Sequence, residues 1–129
     1  MNTCKDIPKI TEQFKKEKLT QIVIDGAAKQ IVKQTLKKIF SLNVIASIIA
    51  GIIIPTNIST NEDLFNKELS VIANELNKEN PDQSLLLKKL AALKDAANGM
   101  SIEKEVDEQC LQEINELIIL LDNSITKLN

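Results

Sequence analysis

Residues 39–61 read IFSLNVIASIIAGIIIPTNISTN, and these twenty-three consecutive positions carry no charged side chain. Lys37 and Lys38 precede the stretch, and Glu62 and Asp63 follow it. Because charged residues make up 26% of the chain, an uncharged gap of this length stands apart. A helix that is apolar on every side is either a membrane helix or a central core helix. We expect one strongly apolar helix over residues 39–54, ended by Pro55, with both interpretations open.

The rest of the composition predicts an all-α protein. Gly and Pro number three each, too few for the many tight turns of an all-β fold. Aromatic residues make up only 2%, so the core must be built from Ile, Leu, Val and Ala. Apolar residues recur at helical spacing on both sides of the uncharged stretch. We therefore expect a small helical bundle of about five or six helices of ordinary length.

The charges divide the chain into three regions. Residues 1–38 contain nine lysines and four carboxylates, whereas residues 62–129 contain seven lysines and fourteen carboxylates. The predicted parts are a basic amphipathic N-terminal helical region (1–38), an uncharged apolar segment (39–60) and an acidic three-helix region (61–129). This division is typical of two complementary faces of one bundle. It also satisfies the positive-inside bias of a membrane protein.

Local signals predict where several helices begin and end. Asp6-Ile7-Pro8 indicates a helix start, because Pro is tolerated in a first turn. Ser59 and Thr60 stand at capping-box spacing before acidic residues, so a helix should begin near residue 61. Asn80 is expected to cap the next helix, which should end at Asn98-Gly99. Ser101 is expected to cap the last helix. The apolar stripe of that helix is predicted to contain Ile102, Val106, Cys110, Ile114, Leu117, Leu121, Ile125 and Leu128.

The chain lacks the side chains on which many active sites depend. It contains no His and no Arg, which removes the neutral-pH proton shuttle and the bidentate phosphate clamp. Cys4 and Cys110 fit no zinc or redox spacing, and we expect both to be reduced thiols. The acidic run from Glu103 to Glu113 lacks the patterns of carboxylate metal sites and is interpreted as a solvated helix face. We predict a non-enzymatic protein with no catalytic residue, no metal site and no cofactor.

Two sets of residues are candidates for intermolecular contacts. Small residues four apart in the uncharged stretch allow close helix packing in a membrane or in a bundle: Ala46, Ser47, Ala50 and Gly51. Lysines ahead of that stretch suit an anionic membrane surface: Lys29, Lys33, Lys37 and Lys38. Nucleic acid is not expected, because Arg and interleaved aromatics are missing. No small-molecule substrate is evident.

Two functional hypotheses follow. The first is a non-enzymatic helical protein that associates with a membrane through residues 39–58 and binds a protein partner with its acidic C-terminal helices. The alternative is a soluble helical-bundle binding module, such as an immunity or antitoxin-like inhibitor or a secreted bacterial effector. The Lys, Ile and Asn content is typical of an AT-rich bacterial genome. Since the N-terminus has no apolar h-region, no standard cleavable signal peptide is expected. The predicted location is the membrane or, in the alternative, the cytoplasm or the exterior.

Overall fold

A bundle of α-helices makes up the part of the chain that the structure describes. The computed structural model describes residues 2–49 and 59–129. Two short 3-10 helices, Asn2–Lys5 and Leu19–Gln21, flank the first α-helix. The α-helices are α1 (Ile7–Glu17), α2 (Ala28–Ile39), α3 (Leu42–Ala46), α4 (Asn61–Leu76), α5 (Gln83–Ser101) and α6 (Glu108–Leu128). The predicted small all-α bundle is confirmed, and no strand occurs within the described ranges.

The last helix, α6, joins the two ends of the bundle. It packs against α5, α1 and α2, while α5 also packs along α4. Its buried face includes Ile114, Leu117 and Leu121. Residues 117–121 are all apolar, a run that predicts a helix covered nearly all round, but Ile119 is 68% exposed. One side of α6 therefore faces solvent.

The N-terminal helices are held to the bundle by a shared apolar core. Phe14 on α1 meets Phe40, the residue after α2, with ring centroids 5.8 Å apart and ring planes at 86°. This edge-to-face arrangement is one that aromatic pairs favour. Ile7 and Ile10 on α1 are fully buried. Each such side chain contributes about 1.5–3 kcal/mol when it is removed from water.

The prediction of one apolar helix over residues 39–54 is wrong in its described part. Helix α2 ends at Ile39, and Ser41 takes an extended backbone (φ −61°, ψ 153°). The Ser41 hydroxyl accepts a hydrogen bond from the Val44 amide at 3.3 Å, which caps the short helix α3. Ile39, Phe40 and Ile45 are each at most 1% exposed, so this part of the stretch lies in the core. In residues 2–49 and 59–129, no helix combines the length and hydropathy needed to cross a bilayer. Residues 50–54 and the predicted stop at Pro55 lie outside the described residues.

The start of α4 agrees with its capping-box prediction. The Thr60 hydroxyl accepts from the Asp63 amide at 3.0 Å, which satisfies one of the free amides of the first turn. The Asp63 carboxylate in turn accepts from the Ser59 hydroxyl at 3.1 Å. The hydrogen bonds from Ser59 and Thr60 lower the pKa of Asp63 below its usual value. The predicted helix start at Asp6-Ile7-Pro8 is also confirmed, since α1 begins at Ile7.

Three other predicted helix ends are wrong. Asp82, not Asn80, caps α5 by accepting from the Leu85 amide at 3.2 Å. That helix passes through Gly99 and ends at Ser101. A Cβ at Gly99 would lie 2.6 Å from Cγ of Asn61, so a close approach between α5 and α4 accounts for this glycine. Helix α6 begins at Glu108 and is capped by Asp107 instead of Ser101.

Candidate binding surface

The connection between α5 and α6, residues 102–107, is fixed to the bundle at both ends. The side-chain amide of Asn61 donates to a Glu103 carboxylate oxygen at 3.0 Å, which ties the connection to the start of α4. The Asp107 carboxylate accepts from the Cys110 amide at 2.8 Å and caps α6. Val106 packs against the core between these two points. The connection is therefore a loop held in place by a hydrogen bond near each end and by the packing of Val106.

One apolar side chain in this connection is left in solvent. Ile102 was predicted to lie on the apolar stripe of the last helix, but it precedes α6 and is 84% exposed. It is the most exposed large apolar residue among those the structure describes. An exposed apolar side chain held on an anchored loop is a suitable anchor for a protein contact.

Carboxylates follow this apolar residue along the chain. Residues 102–113 contain five carboxylates and a single lysine, Lys104. The carboxylates belong to Glu103, Glu105, Asp107, Glu108 and Glu113. We call the connection and the first turns of α6, residues 102–113, the acidic surface. Its charge fits the earlier interpretation of a solvated face, and Ile102 adds an exposed apolar side chain.

A shallow groove of about 310 Å³ opens on the acidic surface. Glu105, Asp107 and Glu113 line one part of it, and Lys5 and Pro8 line another. Cys4 and Cys110 also line the groove and are joined by a disulfide. Within the described ranges, no group of three or more His, Cys, Asp or Glu residues is placed to hold a metal ion.

The disulfide corrects the prediction that both cysteines are reduced thiols. The Cα atoms of Cys4 and Cys110 lie 5.5 Å apart, which is ordinary for a disulfide. Cys110 is only 6% exposed, so its predicted burial is confirmed. Spacing rules overlooked the bond because 106 residues separate the two cysteines, and only the packing of α1 on α6 brings them together.

The lysines predicted as membrane-surface candidates lie on α2. Lys29, Lys37 and Lys38 are exposed and Lys33 is partly exposed. The ion pairs of the described residues involve none of the four. Their placement leaves a positive helix face available for contact, and a role at a membrane surface stays a prediction.

The small residues predicted to support helix packing are only partly described. Ala46 ends α3 and Ser47 follows it, and both are exposed in the structure. The Ser47 hydroxyl donates to the Val44 carbonyl at 2.6 Å. Ala50 and Gly51 lie outside the described residues, so the packing role of this set stays a prediction.

Sequence reasoning missed a buried lysine that joins distant parts of the chain. Lys127, near the end of α6, is 6% exposed and donates from Nζ to the Thr20 carbonyl at 3.3 Å. A lone lysine in the sequence ITKLN carries no pattern that distinguishes it from a solvated one.

Comparisons with protein-family models, with curated proteins and with solved structures found no match to this chain.

Proposed function

We propose that this chain is a non-enzymatic helical binding module whose acidic surface binds a protein with a basic surface. The observation that carries the proposal is Ile102, 84% exposed on a loop that also presents Glu103 and Glu105. Such a combination places an exposed apolar side chain next to carboxylates in the sequence, and protein interfaces combine apolar and charged groups. The absence of His and Arg from the sequence supports a binding role over catalysis.

The disulfide supports an oxidising location for this module. Disulfides persist mainly in secreted and cell-surface proteins, because cytosolic thiols are kept reduced. Cys4–Cys110 closes most of the chain into one covalent loop. Of the expected locations, the exterior of the cell therefore fits best, and the secreted form of the binding-module hypothesis takes precedence.

The test is a photo-reactive amino acid placed at position 102 in the cell of origin. The matched control carries the same group at position 119, another exposed isoleucine. We expect an adduct with one protein from position 102 and none above background from position 119. Equal adducts from both positions would contradict a specific surface.

Binding of the purified partner then measures the charge contribution. Replacing Glu105 and Glu108 by Gln should weaken binding by about tenfold or more and reduce its salt dependence. The control variant replaces two exposed carboxylates elsewhere, Glu12→Gln with Asp95→Asn. An equal loss from both variants would indicate a net-charge effect without a defined site.

Membrane association through residues 39–58 is the second candidate. The lysines of α2 favour it, because an unpaired basic face is attracted to anionic lipid. Against it stands the burial of Ile39, Phe40 and Ile45 in the protein core. With residues 39–49 in the bundle, the remaining uncharged stretch is shorter than the roughly 20 residues that a spanning helix needs.

Membrane fractionation separates the two candidates. Release from the pellet by detergent, and not by carbonate, would support an integral anchor. Recovery in the supernatant would support the binding module. The variant Ile45→Lys sharpens the result, since a charge at this fully buried position would unfold a packed core but impair insertion of a membrane segment at about 3 kcal/mol.

A further inference from the structure

A second groove lies between the C-terminal half of α2 and the end of α4. It consists of two adjoining hollows of about 200 and 300 Å³, which share Lys37 and Leu76 as lining residues. Phe40, Ala73 and Leu76 close its base, and the partly exposed Leu42 and Pro81 supply apolar surface at its two ends. We call this concavity the basic groove.

Positive charge dominates the rim of the basic groove. Lys33 and Lys37 line it, and neither takes part in an ion pair of the described residues. Lys78 also lines it but is paired with Glu75 at 2.7 Å. Glu79 is the one carboxylate among the residues that line these hollows. An occupant that matches this groove carries carboxylates beside an aliphatic side chain.

The acidic surface of the same protein has that chemistry. Ile102 is exposed and aliphatic, and Glu103, Glu105 and Glu108 follow it within six residues. We infer that the occupant is a second copy of this chain, whose acidic surface docks into the basic groove with Ile102 against Leu42. This inference depends on the proposed function, because it names the partner of the acidic surface.

The two surfaces differ, so the contact is heterologous. Each copy offers one acidic surface and one basic groove, and a copy bound through one surface still has the other free. Heterologous contacts generate rings or open head-to-tail chains instead of closed two-fold dimers. The expected assembly therefore grows with concentration, and salt weakens it because the contact depends on charge.

The first experiment measures the mass of the full-length, disulfide-bonded protein by sedimentation over a range of concentrations. We expect species larger than a monomer at low salt. At about 1 M salt, where the Debye length is about 3 Å, the same samples should return to monomer. A monomer at every concentration in low salt would overturn the inference.

Two variants each remove one of the two surfaces that form the contact. The acidic-surface variant is Ile102→Ser with Glu105→Gln and Glu108→Gln, and the groove variant is Lys33→Gln with Lys37→Gln. Each alone should be a monomer, because each lacks one of the two surfaces. Mixed together, they should form a 1:1 pair that grows no further, because the intact groove of one binds the intact acidic surface of the other. Failure of the mixture to pair would overturn the inference.

The matched control is Lys29→Gln with Lys38→Gln, which makes the same charge change on α2 outside the groove lining. It should assemble as the unmodified chain does. If it weakens assembly as much as the groove variant, the attraction is a general one and the groove assignment falls. A monomeric chain that still cross-links to a different protein from position 102 would overturn this inference alone. The absence of any adduct as well would remove the proposed function too.

Discussion

Lys127 donates a hydrogen bond from its side-chain Nζ to the backbone carbonyl of Ile22, across 105 positions of sequence. The same ammonium also donates to the Thr20 carbonyl. These contacts hold the second 3-10 helix and the residue after it against the end of α6. A single side chain thus satisfies two backbone carbonyls, one inside that helix and one just beyond it.

Replacing Lys127 by Met tests this connection. Met keeps an apolar stem of similar length but leaves the two carbonyls without their donor. We expect the free energy of unfolding to fall by about 1.5–3 kcal/mol, the usual contribution of hydrogen bonds that involve a charged group. Urea unfolding monitored by circular dichroism gives the value. Lys104→Met, at an exposed position, is the control, and an equal change in both variants would contradict a role for these bonds.

Removal of the disulfide should lower stability without changing the fold. In Cys4→Ala with Cys110→Ala, the unfolded chain regains the freedom that a loop of 106 residues had lost. The expected loss is about 2–5 kcal/mol. The urea midpoint should fall to the same value when the unmodified protein is treated with a thiol reductant. Reductant should leave the variant unchanged, and a shift in both proteins would show that the reagent acts elsewhere.

Acid should destabilise the protein partly through Glu75. This buried carboxylate pairs with Lys78 at 2.7 Å and accepts from the Asp82 amide at 3.0 Å. The bond from Lys78 and that from the Asp82 amide lower the pKa of Glu75 in the folded state. Its contribution is therefore complete above the unfolded-state pKa of about 4.3 and is lost as the pH falls through the folded-state pKa.

In Glu75→Gln, the free energy of unfolding should decrease less steeply between about pH 5 and pH 3 than it does in the unmodified protein. Asp63 also has a lowered pKa, so part of the slope should remain. Urea titrations at several pH values provide the measurement. Glu79→Gln, an exposed neighbour, is the control. A slope unchanged by Glu75→Gln would refute the assignment.

Gly99 and Asn61 should behave as an energetically coupled pair. A methyl group at position 99 would overlap the Asn61 side chain at 2.6 Å and displace it from its bond with Glu103. Ala at this helical position would otherwise gain about 1 kcal/mol from propensity. Gly99→Ala should therefore be more favourable in an Asn61→Ala background than in the unmodified chain, by about 1 kcal/mol or more. A double-mutant cycle measures this difference, and simple additivity would exclude the coupling.

Local chemistry made part of this fold predictable. Thr60 and Asp63 lie three residues apart, so the hydrogen bond from the Asp63 amide to the Thr60 hydroxyl could be predicted from the sequence, as could the start of α1 before Pro8. The end of α5 could not be predicted. Gly99 lies within that helix and is explained by the close approach of Asn61 on another helix. The break after Ile39 was also missed, since the capping signal at Ser41 is weak within an apolar stretch.

The negative charge of the candidate site could be predicted from the sequence, but the conformation of its backbone could not. The carboxylates after Glu103 were visible as a run, but their interpretation as one helix face placed Ile102 on a buried stripe. The helix begins only at Glu108, so the preceding residues form a connection and Ile102 reaches solvent. The disulfide beside them depends on two cysteines that meet only after α1 has packed on α6.

The bond between Cys4 and Cys110 also determines whether proteolysis releases a fragment. A single cut at any peptide bond between the two positions opens the backbone but releases no fragment, because the sulfurs still join the pieces. A nicked molecule should therefore keep the mass of the whole chain apart from an added water. It should separate into two fragments only after reduction.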